Sequence, residues 1–115
     1  MNAREFSHPE TADLSLHRVL FALSDLTRLA IVSGLLRVTE SSSGDLLEGG
    51  VPKSTMTHHL KILREAGVTR TRPEGMRCMI SLRLEDLGKR FPGLLESVMS
   101  HNSQDTRQRL SPGVG

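Results

Sequence analysis

Between Met56 and Ile80 the sequence changes its period once, and the change falls at a glycine. Residues 51–67 read VPKSTMTHHLKILREAG. At about 100° per residue, Met56, Leu60 and Leu63 fall within about 40° of one another, a single apolar stripe on a helix. Pro52 suits the first helical position, where its missing N–H costs nothing. Gly67 suits the residue just past the end. The residues that follow, VTRTRPEGMRCMISL, alternate instead. Thr69 and Thr71, then Met76, Cys78 and Ile80, suit two short strands, with RPEG as the turn between them. A helix that runs straight into a β-hairpin needs other helices to cover both.

The rest of the chain supplies them. Leu16, Val19, Leu20 and Leu23 recur at i, i+3, i+4 and i+7, one face of a helix. Ser24 or Asp25 can end it and cap the next. The second helix is expected from about Leu26 to Val38, with Leu29, Val32, Leu35 and Leu36 inward and Arg28 and Arg37 outward. TESSSGD breaks the pattern, and Leu46 and Leu47 suggest about two helical turns before EGG. After the hairpin, Leu84, Leu87, Phe91, Leu94 and Val98 form another stripe, interrupted at Pro92. Residues 1–10 are polar and patternless and predict a flexible arm. Residues 11–100 predict one domain, and residues 101–115, polar with Pro and Gly, predict a disordered tail. The fold class implied is α+β, mostly α: a winged helix-turn-helix with a two-stranded β-hairpin wing.

The core must be small. The chain has 115 residues, no Trp or Tyr and three Phe, so further burial against a second subunit is expected. Formal charge is only +2, but its distribution says more. Lys53, Lys61, Arg64, Arg70, Arg72 and Arg77 stand against Glu65 and Glu74 in one stretch, the kind of basic region that meets phosphate. A single cysteine, Cys78, excludes an internal disulfide framework and fits a reducing compartment. MNAREFSHPE has no apolar signal-peptide region, and no run approaches a membrane span. The expected location is cytoplasmic.

On the helix at 52–66, Ser54, His58, Lys61 and Glu65 lie opposite the buried stripe. Thr57 flanks them near Lys53 and Arg64, and His59 lies at the apolar edge beside Ile62. His58 and His59 point about 100° apart, so they cannot grip one ion; helical ligands want i, i+3 or i, i+4 spacing. No Cys or carboxylate completes a local metal set, and no third group orients a catalytic hydroxyl. No phosphate loop, carboxylate pair or nucleophile motif points to an enzyme. What remains is a face of small hydroxyls, imidazole and cation that can reach base edges and phosphates; the bland alternative is a solvated surface helix. Arg70 and Arg72 share a strand face and Arg77 returns on the partner strand. They fit a wing reaching phosphate or the minor groove, or a charged edge that blocks aggregation. Cys78, beside Arg77, is either an oxidisable sensor thiol or a small half-buried strand residue.

LFALSDLTRLAIVSGLL, a short helix, and VPKSTMTHHLKILREAGVTRTRPEGMRCMISL stand in that order. Over roughly residues 16–100 they closely resemble the ArsR family of bacterial winged-helix transcriptional regulators. STMTHHLKILREAGV followed at once by a basic hairpin with Glu74-Gly75 carries most of the resemblance. ALSDLTRLAI looks like the family's second-helix signature, with Leu26 where a Pro is usual; Pro52-Lys53 stand where Ser-Gln commonly starts the recognition helix. The resemblance implies a homodimer built from the first and last helices, with Leu16, Leu20, Leu94, Leu95 and Val98 as its apolar contacts. It also implies a recognition helix in the major groove and wings on the flanks. Carried over by position, the DNA-facing residues are Lys53, Ser54, Thr55, Thr57, His58, Lys61, Arg72 and Arg77.

Many relatives in that family sense metal through third-helix cysteines, and SSSGDLLEG has none. Glu85, Asp86, Glu96 and His101 lack the last-helix ligand pattern, which leaves a pairing of His17 with the last helix across a dimer. The expectation is therefore a homodimeric repressor on inverted-repeat, double-stranded DNA, with no metal, no cofactor and an unidentified effector. The alternative is a winged helix used as a protein–protein adaptor without specific DNA binding.

Overall fold

Gly67 is where the helix stops. Its φ of 83° is left-handed, a conformation open to glycine at little cost. The Val68 N–H reaches back to the Leu63 carbonyl and the Gly67 N–H to that of Arg64. This is the Schellman pairing, and the apolar contact expected with it joins Leu63 and Val68, both fully buried. A Cβ at Gly67 would also run into the Leu14 side chain. The period change in the sequence is thus a fixed corner between helix and hairpin.

The computed structural model describes residues 6–46 and 50–110. In chain order it contains α1 (Leu16–Ala22), α2 (Leu26–Leu35), β1 (Ser41–Ser42), α3 (Ser43–Leu46), α4 (Lys53–Glu65), β2 (Thr69–Glu74), β3 (Arg77–Leu82), α5 (Leu84–Arg90) and α6 (Leu94–Leu110). Ser15 caps α1 by accepting from the Arg18 N–H, and Asp25 caps α2 by accepting from that of Arg28. Pro52 is the N-cap residue of α4, one residue earlier than its expected place, with no side-chain cap bond and its carbonyl accepting from the Met56 N–H. α3 is described as far as Leu46; the expected second turn, at Leu47, lies outside the described residues.

The core joins one face of each main helix to the inner face of the sheet. Val19 and Ala22 of α1, Ile31, Val32 and Leu35 of α2, Met56, Leu60 and Leu63 of α4, and Ile80 of β3 are all buried in it. Thr69 and Thr71 point inward from β2 while Arg70 and Arg72 point outward, as period-two alternation requires.

Five features differ from the sequence expectations. The sheet has three strands, in order β1-β3-β2 and antiparallel throughout; two serines in the hydroxyl-rich break pair with Ile80 and Met79. The hairpin turn lies at Gly75-Met76 rather than across RPEG, since pairing continues through Pro73 to Glu74↔Arg77. Pro73 is tolerated because β2 is an edge strand, and Gly75, with φ 61°, takes the positive-φ position of the two-residue loop. Met76 is therefore at the tip, 92% exposed, and not a strand residue.

Residues 6–10 are tied down, not free. Phe6 lies 4.9 Å from the Arg64 guanidinium, the His8 Nε2 accepts from the Thr71 N–H at 3.0 Å, and the Pro9 carbonyl accepts from Arg83 at 2.8 Å. Polarity hid this arm, because its contacts are a cation–ring contact and hydrogen bonds to residues distant in the chain, with no period. At the other end α6 runs through Leu110, ten residues into the stretch expected to be disordered. No Gly or Pro interrupts 94–110; Pro112 comes only afterwards. The fifth difference is a pair of residues expected on α2: Arg28, expected outside, is buried, and Leu36, expected inward, is 45% exposed at the residue just past the helix end.

Candidate nucleic-acid interface

α4 presents two faces with different chemistry. Met56 (2% exposed), Leu60 (7%) and Leu63 (0%) seat it on the core. Lys53, Ser54, Thr55, Thr57, His58 and Lys61 are all exposed. Six of the eight residues expected to face DNA are thus exposed on α4, with Ser54, His58 and Lys61 opposite the buried stripe, Lys53 and Thr57 on one flank and Thr55 on the other. The Thr57 hydroxyl donates to the Lys53 carbonyl at 3.0 Å, so its oxygen is left as an acceptor toward a ligand. Among the described residues no carboxylate lies within ion-pair distance of Lys53 or Lys61.

The two adjacent histidines have opposite fates. His58 is exposed, whereas His59 is buried and belongs to the seat of the helix. Its Nδ1 lies 3.1 Å from Arg28 Nη1. A guanidinium can only donate, so Nδ1 accepts and the ring proton sits on Nε2. Arg28 also donates through Nε to the Ala22 carbonyl at 2.7 Å and through Nη2 to that of Phe21 at 3.4 Å. One buried arginine therefore satisfies the end of α1 and fixes the rotation of α4. Periodicity missed it because a buried Arg on α2 reads as a polar interruption. The only available signal was His59 at the apolar edge, needing a partner.

The wing is electrostatically unlike the helix. Arg72 is 47% exposed yet held by Glu40: Nε to Oε2 and Nη2 to Oε1, each 2.7 Å. This two-pronged bond drives the Arg72 pKa up and holds the Glu40 carboxyl below its usual range. Arg77 Nη2 lies 3.9 Å from Asp45, and Arg70 Nη2 lies 3.6 Å from Asp86. Glu40 and Asp45 come from the segment around β1 and α3, and no local sequence signal marks them. Arg77 and Lys53, with Thr57 and Ser42, line a cleft of ≈ 500 Å³ between the start of α4 and the wing tip. Cys78, half-buried on β3, lines the same cleft.

The residues expected at a dimer contact divide. Leu16 and Leu20 are 46% and 45% exposed, one turn apart on α1. Leu94 and Val98 are half-buried. Leu95 is buried within the chain at 5%; it faces the core from α6 and has little surface left for a partner. Among the described residues no three His, Cys, Asp or Glu side chains gather as a metal set, and no helix is long and apolar enough to cross a membrane.

A short helix, an exposed recognition-type helix and a basic hairpin on one core define a winged helix-turn-helix. Residues 23–72 match the helix-turn-helix domain family. The chain is 39% identical over 83 residues to the uncharacterized HTH-type transcriptional regulator YceK of Bacillus subtilis (strain 168), covering 70% of this chain and 83% of that protein. Its fold is shared with the ArsR family transcriptional regulator RHA00566 (TM-score 0.59, 20% identity, 84% of this chain and 97% of that one). The transcriptional repressor BigR from Xylella fastidiosa is also similar (TM-score 0.55, 27% identity, 66% of this chain and 85% of that one). The chain belongs to the HTH-type transcriptional regulators, and its winged-helix fold is that of a solved ArsR family regulator.

Proposed function

We propose that this regulator is a cytoplasmic homodimeric repressor that reads an inverted repeat in double-stranded DNA. The observation that carries the proposal is the exposed side of α4, with Ser54, His58 and Lys61 facing outward and Lys53, Thr57 and Thr55 on its flanks, on a helix anchored by Met56, His59, Leu60 and Leu63. Hydroxyls and imidazole can exchange hydrogen bonds with base edges, and the two lysines meet phosphate. The exposed pair Leu16 and Leu20 supports a second subunit packing along α1, with Leu94 and Val98. Two such subunits would place two α4 helices on half-sites about one helical turn apart. The similarity to a transcriptional repressor supports the direction of control. A metal sensor built on third-helix cysteines is not proposed, because Cys78 is the sole cysteine, and Cys78 itself stands as a secondary, redox-sensor hypothesis.

A gel shift on the DNA upstream of the regulator's own gene tests this. Wild type should give a discrete complex that His58→Ala or Ser54→Ala weakens. Specific binding that survives joint substitution of Lys53, Ser54, Thr57 and His58 would defeat the proposal. One observation favours the adaptor alternative: the wing arginines are already paired, and net charge is only +2. An adaptor would show partner affinity nearly independent of salt and no retention on heparin, opposite to a DNA binder.

A further inference from the structure

The two wing cations assigned to DNA are not idle in the unbound protein. Glu40 grips Arg72 with the same parallel two-bond geometry that a phosphate would use, while Glu74 on the same strand makes only a longer contact, 3.5 Å from Nη2. The pair is solvent-facing, with Arg72 at 47% and Glu40 at 27% side-chain exposure. Surface pairs of this kind add little to stability, so folding alone does not account for it. Its placement is deliberate in the topology. The two-residue strand β1 pairs Ser41 with Ile80 and Ser42 with Met79, and Arg72 faces the same Met79 from the other side. β1 thereby sets Glu40 beside the wing, and Asp45 follows at 3.9 Å from Arg77.

We propose that Glu40 is a specificity-determining residue of the DNA interface: its carboxylate competes with backbone phosphate for Arg72. This rests on the DNA-binding function proposed above. A wing arginine on phosphate adds affinity for every sequence equally, whereas the α4 face discriminates. Holding Arg72 on an internal anion removes part of the indiscriminate share and leaves the discriminating share intact. Asp45 does the same more weakly for Arg77, at its longer distance.

The test compares wild type, Glu40→Gln, Arg72→Gln and the double variant on a selected site and on a random-sequence duplex across salt. Glu40→Gln should tighten random-duplex binding about three- to tenfold at 0.1 M salt and steepen the log–log salt slope by about 0.9, the signature of one more phosphate contact. The ratio of specific to random affinity should fall. The double variant should match Arg72→Gln, because without the arginine the carboxylate has nothing to hold. Glu40→Ala serves as a second variant, with matching thermal unfolding required of both. If Arg72→Gln weakens binding while both Glu40 variants leave random-duplex affinity and slope unchanged or lower, the inference is overturned and the DNA-binding function stands. If wild type binds no duplex at all, that function fails first.

Discussion

α4 and the wing carry similar numbers of cations and use them differently. On α4, Lys53 and Lys61 stand clear of carboxylates among the described residues, and the helix beneath them is clamped by a packed stripe and the Arg28–His59 contact. On the wing, Arg70, Arg72 and Arg77 each sit on an acidic side chain from elsewhere in the chain. Rigidity and free charge coincide on the helix; exposure and held charge coincide on the wing. In a DNA-binding protein the first suits base discrimination, which needs fixed geometry. The second suits an adjustable, sequence-independent grip.

The strongest way to break the contrast is to unseat the helix. Leu63→Ala removes a side chain with no exposure and should cost about 2–5 kcal/mol of stability, read by urea denaturation. Next comes the paired comparison of the two histidines. His59→Ala strips the buried Arg28 Nη1 of its partner and should destabilise by about 1–3 kcal/mol. His58→Ala should change stability by less than about 0.5 kcal/mol yet weaken specific DNA binding by about 1–3 kcal/mol. Equal stability effects from the two would erase the distinction between the faces. Arg72→Ala should act more evenly, weakening selected and random duplexes alike and flattening the salt slope by up to about 0.9.

The smallest effect concerns the outer edge of the wing, where the arm docks. The His8 pKa is lowered by burial and then by Arg70, Arg83 and Arg64, and its Nε2 must be unprotonated to accept from Thr71. The folded-state pKa lies below the ordinary value, so this contribution is complete above about pH 6.5 and is lost as pH falls through the lowered value. The urea midpoint of wild type should therefore drop more on acidification than that of His8→Ala. Parallel pH profiles would show that the arm contributes nothing through this group.

Local patterns carried the sequence expectations where a side chain's role depends on its neighbours in the chain. The apolar stripe on α4, the glycine corner at 67, the Thr-in and Arg-out alternation of β2 and the break near Pro92 all follow from period and turn chemistry. The outward residues of α4 follow by subtraction from the stripe. What stayed hidden depends on distant partners. Arg28 looks solvated until His59 and the carbonyls of Phe21 and Ala22 surround it. Glu40 looks like loop until β1 brings it to Arg72, 32 residues away. The arm at 6–10 has no period because hydrogen bonds to Thr71 and Arg83 order it. The helix beyond Ser100 is polar, so its continuation rests on the lack of breakers and not on an apolar stripe.

The central claim is that the hydroxyl and imidazole face of α4 reads base pairs. Selection of bound DNA from random duplexes at fixed salt tests it most directly, run with wild type and with the Lys53, Ser54, Thr57 and His58 quadruple variant. Wild type should enrich a two-fold-symmetric motif with half-sites about one helical turn apart, and the variant should enrich none. The same motif emerging from both, or no motif from wild type, would contradict it.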